Sequence, residues 1–335
     1  MSIFTFVKEV KRKMMKLTIG IPVYNGEKYI SRCIDSIAKE YEAVKDEIEL
    51  ELLIVNDGSK DSSETMLKGY SEKLSYLKVI SQENSGLAHV RRVTLEEASG
   101  DYLWFVDVDD EIEEGALKFI ASQKLEEVNI FDYRVGYENS ELDYISMGIE
   151  ENTILNPNKE RKLFTLPNAV WHYIYDLDFL RNTKLTFKSG YLYEDFEFMA
   201  RLWPNVTKAK YFNFSIYKYY LTAGSIMRGG TAIDKIRDIE VMLTSVEDYY
   251  TDNYPGKYKQ ELEYYNWYHI LYGGYANILR IDKNSPLLEE YLKKVNEKYP
   301  RWIKNKYLKD QPLKRKILMF LIKYNQKGIV EKLLK

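Results

Sequence analysis

The sequence contains a single cysteine, Cys33, and only three histidines in 335 residues. One thiol cannot form an intramolecular disulfide or a cysteine-based zinc site, so both kinds of stabilisation are excluded. The histidines His89, His172 and His269 are far apart and no H-E-x-x-H pattern occurs, which argues against a histidine zinc site. A chain without disulfides suits a reducing compartment, and we expect the protein to lie in the cytoplasm.

Long hydrophobic runs are also missing. The longest apolar run near the C-terminus is residues 317–322, far short of the roughly 20 residues that span a bilayer. The apolar patch at the N-terminus ends at Lys8 and is followed by the basic residues 11–13, so we expect no secretory signal. Neither G-x-G-x-x-G nor G-x-x-x-x-G-K-[ST] occurs, so NAD binding and P-loop ATP hydrolysis lose their main sequence support.

Charge is distributed unevenly along a chain whose 45% hydrophobic and 30% charged residues are typical of a globular protein. Residues 301–335 carry 11 Lys and Arg against 2 Asp and Glu, a net charge of +9. Because the whole chain has a net charge of -2, the first 300 residues carry -11. This predicts an acidic body with a basic tail that meets an anionic surface, and we expect no nucleic-acid partner.

Strand and helix patterns alternate in the first half. Apolar runs at residues 17–23, 50–55, 77–80 and 102–106 predict four strands separated by helices, one of them opened by a capping box at Asp61. This order predicts an α/β fold with a doubly wound, mostly parallel sheet, in which ligands bind beyond the carboxyl ends of the strands. The pattern is helical from about residue 233 onward. We therefore divide the chain into a basic N-terminal extension (1–15), a catalytic domain (16–220) and a helical C-terminal region (221–335).

The triplet Asp107-Val108-Asp109 directly follows the fourth predicted strand. In an extended segment residues two apart point the same way, so both carboxylates can reach one hard cation such as Mg²⁺ or Mn²⁺. The alternative is an acidic turn in which Asp110 caps a helix beginning near Glu113. Its place after a buried strand favours the metal site.

Three further side chains follow predicted strands or open the next helix. Asp57 is suited to accept hydrogen bonds from a nucleobase, or it fixes an Asx turn. Tyr24 offers a ring for stacking on a base, or it packs in a turn. One of Arg91 and Arg92 would neutralise a phosphate, and a solvated helix face is the alternative for the other.

A second acidic pair, Glu194-Asp195, lies among aromatic residues in the segment 191–198. Partial desolvation would raise the pKa of such an acid and suit it to removing a proton from a hydroxyl. The alternative is a helix N-terminus with favourable acids in its first turn.

Taken in order, these segments resemble the family 2 glycosyltransferases, which are inverting enzymes of the GT-A fold. The resemblance covers about residues 16–228. It rests on Ile21-Pro22-Val23-Tyr24-Asn25, Val55-Asn56-Asp57-Gly58-Ser59, Gln82-Glu83-Asn84-Ser85-Gly86-Leu87, Phe105-Val106-Asp107-Val108-Asp109-Asp110, Glu194-Asp195 and Ala223-Gly224-Ser225-Ile226. Two positions depart from the family pattern: Arg92 follows the arginine where an asparagine is common, and Trp171-His172-Tyr173 lacks a usual lysine.

The resemblance implies a role for each matching residue. Asp195 would be the base, and Asp109 together with Asp107 would bind Mn²⁺ or Mg²⁺. The nucleotide-sugar contacts would be Pro22, Tyr24, Asp57, Arg91, Asp107 and Val108. The acceptor or donor sugar would meet Trp171, His172 and Glu194.

The expected activity is transfer of a sugar from a nucleoside-diphosphate donor, a UDP-sugar, to a hydroxyl of a glycan or lipid-linked acceptor in cell-surface polysaccharide or glycoconjugate synthesis. Two alternatives stay open: a non-catalytic partner subunit that binds nucleotide-sugars, and a sugar nucleotidyltransferase. The basic amphipathic tail predicts peripheral contact with the inner face of the cell membrane, or a helix packed on the protein body or in a homo-oligomer.

Overall fold

The structure, a computed structural model, describes residues 14–151, 153–222 and 233–334. The predicted N-terminal extension therefore lies outside the described residues except for its last two, and Met15 already begins the first strand. The motif Ala223-Gly224-Ser225-Ile226 also lies outside them.

Within the described ranges one mixed sheet of ten strands forms the centre of the fold. The strands are β1 (Met15–Val23), β2 (Ile48–Asn56), β3 (Leu77–Ser81), β4 (Tyr102–Phe105), β5 (Glu111–Ile112), β6 (Val128–Gly136), β7 (Asp143–Ile145), β8 (Ile154–Leu155), β9 (Tyr173–Asp176) and β10 (Ala209–Tyr220). Their order is β3-β2-β1-β4-β9-β6-β10-β5, with β7 on β6 and β8 on β10.

The four predicted strands are confirmed as the parallel half of this sheet, in which β1 pairs with β2 and β4, and β2 pairs with β3. In the other half β6 and β10 run parallel, but β9 lies antiparallel between β4 and β6. The α/β class is thus confirmed, while the regular strand-helix alternation ends after β4.

Helices cover both faces of the sheet and form the C-terminal region. They are α1 (Ile30–Glu42), α2 (Ser63–Ser71), α3 (Leu87–Glu97), α4 (Ala116–Ser122), α5 (Leu177–Thr183), α6 (Glu194–Leu202), α7 (Ile233–Ile236), α8 (Asp238–Asn253), α9 (Lys259–Asn266), α10 (Ala276–Ile281), α11 (Leu287–Lys298), α12 (Lys306–Lys309), α13 (Leu313–Lys323) and α14 (Lys327–Leu334). A π-helical segment, Trp267–Tyr275, joins α9 to α10.

The predicted capping box at Asp61 is wrong. Helix α2 begins at Ser63, and its N-cap Ser62 makes no side-chain cap hydrogen bond. Asp61 instead accepts hydrogen bonds from the backbone N–H of Ser63 and of Glu27, each at 3.0 Å. A residue that looks like a local helix cap therefore ties the loop after β1 to the loop after β2.

The two faces of the sheet have separate hydrophobic cores because successive strand residues point to opposite sides. In β4, Leu103 and Phe105 lie in the larger core, and Trp104 lies in the smaller one with α1 and α4. The larger core continues through the C-terminal helices as far as Val330. The helical C-terminal region therefore packs on the sheet-bearing part of the chain through one continuous core.

Candidate active site

The loops that follow β1 to β4 meet at one edge of the sheet, as parallel strands require. Asn25, after β1, donates its backbone N–H to Ser59 Oγ at 3.0 Å, and its Oδ1 accepts from the Lys60 N–H at 2.8 Å. Gly58 has φ +71°, and a Cβ there would lie 2.9 Å from the backbone nitrogen of Asn84. Only glycine fits this close approach of two loops.

Asp57 fixes the loop between β3 and α3. Its carboxylate accepts hydrogen bonds from Gln82 Nε2 at 2.7 Å, the Ser85 N–H at 2.9 Å and the Gly86 N–H at 2.8 Å. The side chain is 3% exposed. In the structure this carboxylate accepts hydrogen bonds from the protein itself, and the expected contact with a nucleobase stays a prediction.

Beside Asp57 the loops enclose an open cleft of about 700 Å³. It is lined by Asn56, Gly58, Ser59, Lys60, Glu64, Ser81, Gln82, Glu83 and Asn84. Tyr24 is 52% exposed, and the stacking of its ring on a base stays a prediction. Pro22 is half-buried at the end of β1, and Val108 lies against Gly26.

We expect Asp57→Asn to lower the free energy of unfolding of the ligand-free protein. The amide keeps one acceptor oxygen but turns a donor toward the N–H of either Ser85 or Gly86, so one charge-assisted hydrogen bond is lost at a cost of about 2 kcal/mol. Urea unfolding of the ligand-free protein measures this. Unchanged stability together with a loss of nucleotide binding would mean that Asp57 contacts the ligand directly and does not fix the loop.

Arg91 lies at the centre of a cluster of acids. It is 2% exposed on α3 and forms ion pairs with Asp107 (3.3 Å), Glu194 (2.7 Å) and Asp195. Three carboxylates from two distant segments thus share one guanidinium. The expectation that Arg91 neutralises a phosphate is not supported by this geometry, because its donors face protein carboxylates and it is buried.

Asp195 is held at the N-terminus of α6, as the helix alternative predicted. Its second oxygen accepts the backbone N–H of Val170 at 3.4 Å, and the side chain is 22% exposed. The residue at the N-cap of α6, Tyr193, has φ +69°, a conformation that costs energy for a residue with a side chain and that persists where packing imposes it. The backbone therefore turns sharply just before the two acids.

Burial raises the pKa of Asp195 to about 8. Arg91 lowers that pKa, while the neighbouring Glu194 and Asp107 raise it further. One guanidinium shared by three carboxylates leaves the cluster with a net negative charge, so the repulsion and desolvation together exceed the attraction of Arg91. Asp195 is thus a weak acid whose carboxylate is correspondingly basic, which suits proton removal.

The segment after β4 is anchored to β10. Asp110 is fully buried and accepts hydrogen bonds from the Tyr217 hydroxyl and the Tyr220 N–H, both at 2.7 Å. The Tyr217 oxygen also accepts the Asp107 N–H at 3.0 Å. The alternative that Asp110 caps a helix near Glu113 is wrong, because α4 begins at Ala116 after Gly115.

A family model described as "Glycosyl transferase family 2" matches residues 18–185, half of the chain. The chain belongs to glycosyl transferase family 2. The resemblance to this family that the sequence motifs indicated is thereby confirmed. The matched range contains Asp57, Arg91, Asp107 and Asp109.

The glycosyltransferase is similar to several named proteins. "Glycosyltransferase GlyA" of Streptococcus pneumoniae is 32% identical over 230 residues, which is 64% of this chain and 32% of that protein. YibD of Escherichia coli is 27% identical over 227 residues, 64% of this chain and 63% of that protein. The chain thus matches less than two thirds of the length of either relative.

A solved structure shows the same fold over nearly the whole chain. Staphylococcus aureus TarS 1-349, in complex with UDP-GlcNAc, superposes with a TM-score of 0.68 and 22% identity, covering 96% of this chain and 90% of that one. TarS is described as a poly(ribitol-phosphate) beta-N-acetylglucosaminyltransferase. The predicted GT-A fold with its helical C-terminal region is confirmed.

Part of the set of ligands that a divalent cation needs is present in the glycosyltransferase. Burial raises the pKa of Asp109, and the proximity of Asp107 raises it further, so a cation would relieve repulsion between them. Asp109 also accepts a hydrogen bond from the Thr222 hydroxyl at 3.1 Å. In the described ranges no group of three or more His, Cys, Asp or Glu side chains is placed to hold a metal. A cation held by these two aspartates would take its remaining ligands from a diphosphate and water.

Trp171 and His172 are core residues, which contradicts their predicted contact with acceptor or donor sugar. Trp171 is 7% exposed and stacks on Tyr217 with ring centroids 4.5 Å apart. His172 is fully buried between the carbonyl oxygens of Phe131 (3.3 Å) and Pro167 (3.2 Å), and burial lowers its pKa to about 4. Both side chains support the strands behind the site.

Several residues that shape the site carry no sequence signal of their own. The Val170 N–H and the Tyr217 hydroxyl come from segments without a motif. Arg32 of α1 donates to the Asp109 carbonyl oxygen and pairs with Glu111 at 3.3 Å. The sequence signal that comes nearest is the run of tyrosines at the end of β10, whose hydroxyl groups indicate that this end of the strand contacts polar groups.

We expect the pH dependence of transfer to follow the ionisation of Asp195. Arg91, Glu194 and Asp107 face this carboxylate, and burial raises the pKa of Asp195 to about 8, so the rate should rise with pH and level off above that pKa. Glu194→Gln removes one negative neighbour that raises the pKa of Asp195, and it should move this rise toward lower pH. Asp178→Asn, an exposed acid in the first turn of α5, is the control and should leave the profile unchanged. A wild-type profile in Glu194→Gln would contradict the assignment.

Proposed function

We propose that this family 2 glycosyltransferase transfers a sugar, with inversion, from a nucleoside-diphosphate donor to an acceptor hydroxyl, with Asp195 as the base. The observation that carries the proposal is the convergence of Asp107, Glu194 and Asp195 on Arg91 at the edge of the sheet where ligands bind. Asp107 follows β4 and Asp195 opens α6, so only the fold brings them together.

We place the donor nucleotide in the cleft beside Asp57. The exposed ring of Tyr24 offers a stacking surface, and the backbone and polar side chains of the cleft offer hydrogen bonds to a base and ribose. A UDP-sugar is the donor we favour, because TarS, with the same fold, was solved with UDP-GlcNAc.

Asp107 and Asp109 would hold Mn²⁺ or Mg²⁺. When bound there, a divalent cation would supply positive charge to the donor diphosphate. The protein's own part is to keep these two carboxylates in place through the contacts of Arg91 with Asp107 and of Thr222 with Asp109.

The chain's residues account for a single displacement. Asp195 accepts the proton of the acceptor hydroxyl while the acceptor oxygen forms a bond to the anomeric carbon and the bond from that carbon to the diphosphate breaks. Arg91 and the Val170 N–H hold the carboxylate of Asp195 in position. Attack from the face opposite the leaving group inverts the anomeric centre, and no enzyme nucleophile is needed.

We propose a glycan or lipid-linked acceptor in the synthesis of a cell-surface polymer. The support comes from the names of relatives: TarS acts on poly(ribitol-phosphate), and a Staphylococcus epidermidis relative, 28% identical over 214 residues, is a teichoic acid poly(glycerol phosphate) polymerase. The single cysteine is buried, which agrees with the proposed cytoplasmic setting.

The test is incubation with Mn²⁺ and a panel of UDP-, GDP- and dTDP-sugars while product release is measured. Release of nucleoside diphosphate with a UDP-sugar is the expected result. In a parallel incubation with a sugar phosphate and a nucleoside triphosphate, release of inorganic pyrophosphate would instead identify a nucleotidyltransferase. Binding of a nucleotide-sugar, seen as a rise in thermal stability without any turnover, would identify a non-catalytic subunit.

A further inference from the structure

Helix α13 has two apolar faces. Leu318, Met319 and Ile322 are buried in the larger core, so the helix packs on the protein body. The opposite face, which we call the exposed stripe, is spaced i, i+4, i+7 and i+11 and consists of Leu313 (71% exposed), Ile317 (46%), Phe320 (54%) and Tyr324 (58%). A surface helix of a globular protein needs only one apolar face, so the exposed stripe calls for a partner.

Lysines flank the exposed stripe on both sides. At 3.6 residues per turn, the exposed Lys314 lies on one side of it and the half-buried Lys316 lies on the other, whereas Lys323 donates its Nζ to Asn296 Oδ1 of the protein body at 2.6 Å. This arrangement lets apolar side chains enter an apolar phase while the ammonium groups stay at its polar boundary.

Helix α14, which packs beside α13, repeats the pattern. Ile329 and Leu333 are 49% and 37% exposed one turn apart, and Lys332 is exposed next to them. The other face of α14 is fixed to the core by Val330. Helix α14 thus carries the same combination as α13, exposed apolar side chains beside an exposed lysine.

The positive charge of this region is largely uncompensated. Residues 301–335 carry a net charge of +9. Lys309, Lys314 and Lys332 are exposed and form no ion pair with any residue in the described part of the chain, whereas Lys327 pairs with Glu289 at 3.1 Å. Such a surface is complementary to clustered phosphates.

We propose that α13 and α14 bind the surface of an anionic lipid bilayer, with the exposed stripe among the headgroups and the flanking lysines at the lipid phosphates. The contact is peripheral: no helix of the described residues is both long and apolar enough to cross a membrane. The proposal does not depend on the donor or on turnover, because the surface and the site are tested by different measurements.

The test is co-sedimentation of the full chain with vesicles of phosphatidylcholine mixed with phosphatidylglycerol, and with vesicles of phosphatidylcholine alone. We expect binding to the anionic vesicles, release by high salt, and little binding to the neutral ones. The double variant Ile317→Glu/Phe320→Glu should bind about tenfold less. Its control, Tyr137→Glu/Ile154→Glu, changes two similarly exposed side chains (60% and 58%) in the sheet-bearing part of the chain and should bind as wild type.

Three results would overturn the proposal. The first is vesicle binding that does not depend on the exposed stripe: either the full chain fails to bind anionic vesicles, or Ile317→Glu/Phe320→Glu (the stripe variant) binds them as well as its control does. Another is a dimer, measured by light scattering, that dissociates in the stripe variant without any vesicle binding, since a second copy would then cover the stripe. The last is vesicle binding that begins only when residues 1–13 are removed, since that segment would then be the occupant. Equal thermal unfolding of the two double variants checks that both are folded.

Discussion

Asp195→Asn is expected to lower the rate of sugar transfer by about 10²- to 10⁴-fold, which is the usual contribution of a positioned general base. The amide keeps the size of the side chain but cannot accept the proton. Asparagine also removes a carboxylate whose ionisation is costly in this cluster, since burial raises the pKa of Asp195 above that of the unfolded chain. The stability that this raised pKa contributes is present at low pH and lost as the pH rises through 8. We therefore expect no large loss of folding stability at pH 8.

The decisive comparison for Asp195→Asn is with donor binding. The donor cleft is lined by the loops after β2 and β3, so the variant should bind a UDP-sugar with wild-type affinity in a thermal-shift titration. Asp178→Asn should leave both binding and transfer unchanged. Wild-type turnover by Asp195→Asn would remove the residue from its proposed role.

Replacing Arg91 should have the largest effect on stability. Arg91→Leu leaves Asp107, Glu194 and Asp195 without their shared cation, and breaking a buried ion pair on one side costs about 3–5 kcal/mol. The loss should grow with pH, because protonation of Asp195 below its pKa of about 8 relieves part of the repulsion. Transfer should be lost as well, since the base is no longer held in place.

Two variants calibrate this result. Arg91→Lys keeps the charge but not the planar set of donors that contacts three acids, so its loss of stability should be intermediate. Arg92→Leu, at the next position on α3 with 38% of its side chain exposed, should cost less than about 1 kcal/mol. Urea unfolding at pH 6 and pH 9 measures all three. A loss for Arg91→Leu no greater than that for Arg92→Leu would show that Arg91 does not hold the cluster together.

The parallel half of the sheet could be predicted from sequence because its signals are local. Each of β1 to β4 is a short apolar run closed by a polar turn, and the buried face of α1 follows a helical period. The same logic placed the residues after β1, β2 and β4 at one edge, where the structure brings them together.

The partners of the polar side chains could not be predicted, since they depend on segments far apart in the chain. Asp57 looks like a ligand contact in its motif, but its hydrogen bonds go to the loop before α3. Arg91 looks like a phosphate contact until Asp195, 104 positions away, is placed beside it. His172 stands in an apparent family motif, yet it is buried between the carbonyl oxygens of Phe131 and Pro167. Strand β9 itself breaks the alternation from which the fold was inferred.

The central claim is that aspartates distant in sequence surround an activated sugar. The most direct test is a crystal structure of the protein with Mn²⁺ and a non-hydrolysable UDP-sugar analogue. We predict the diphosphate against Asp107 and Asp109, and an Asp195 oxygen facing the anomeric carbon across a gap that one acceptor hydroxyl fills. A donor bound away from these aspartates, or an Asp195 separated from the anomeric carbon by more than the width of a sugar ring, would contradict this claim.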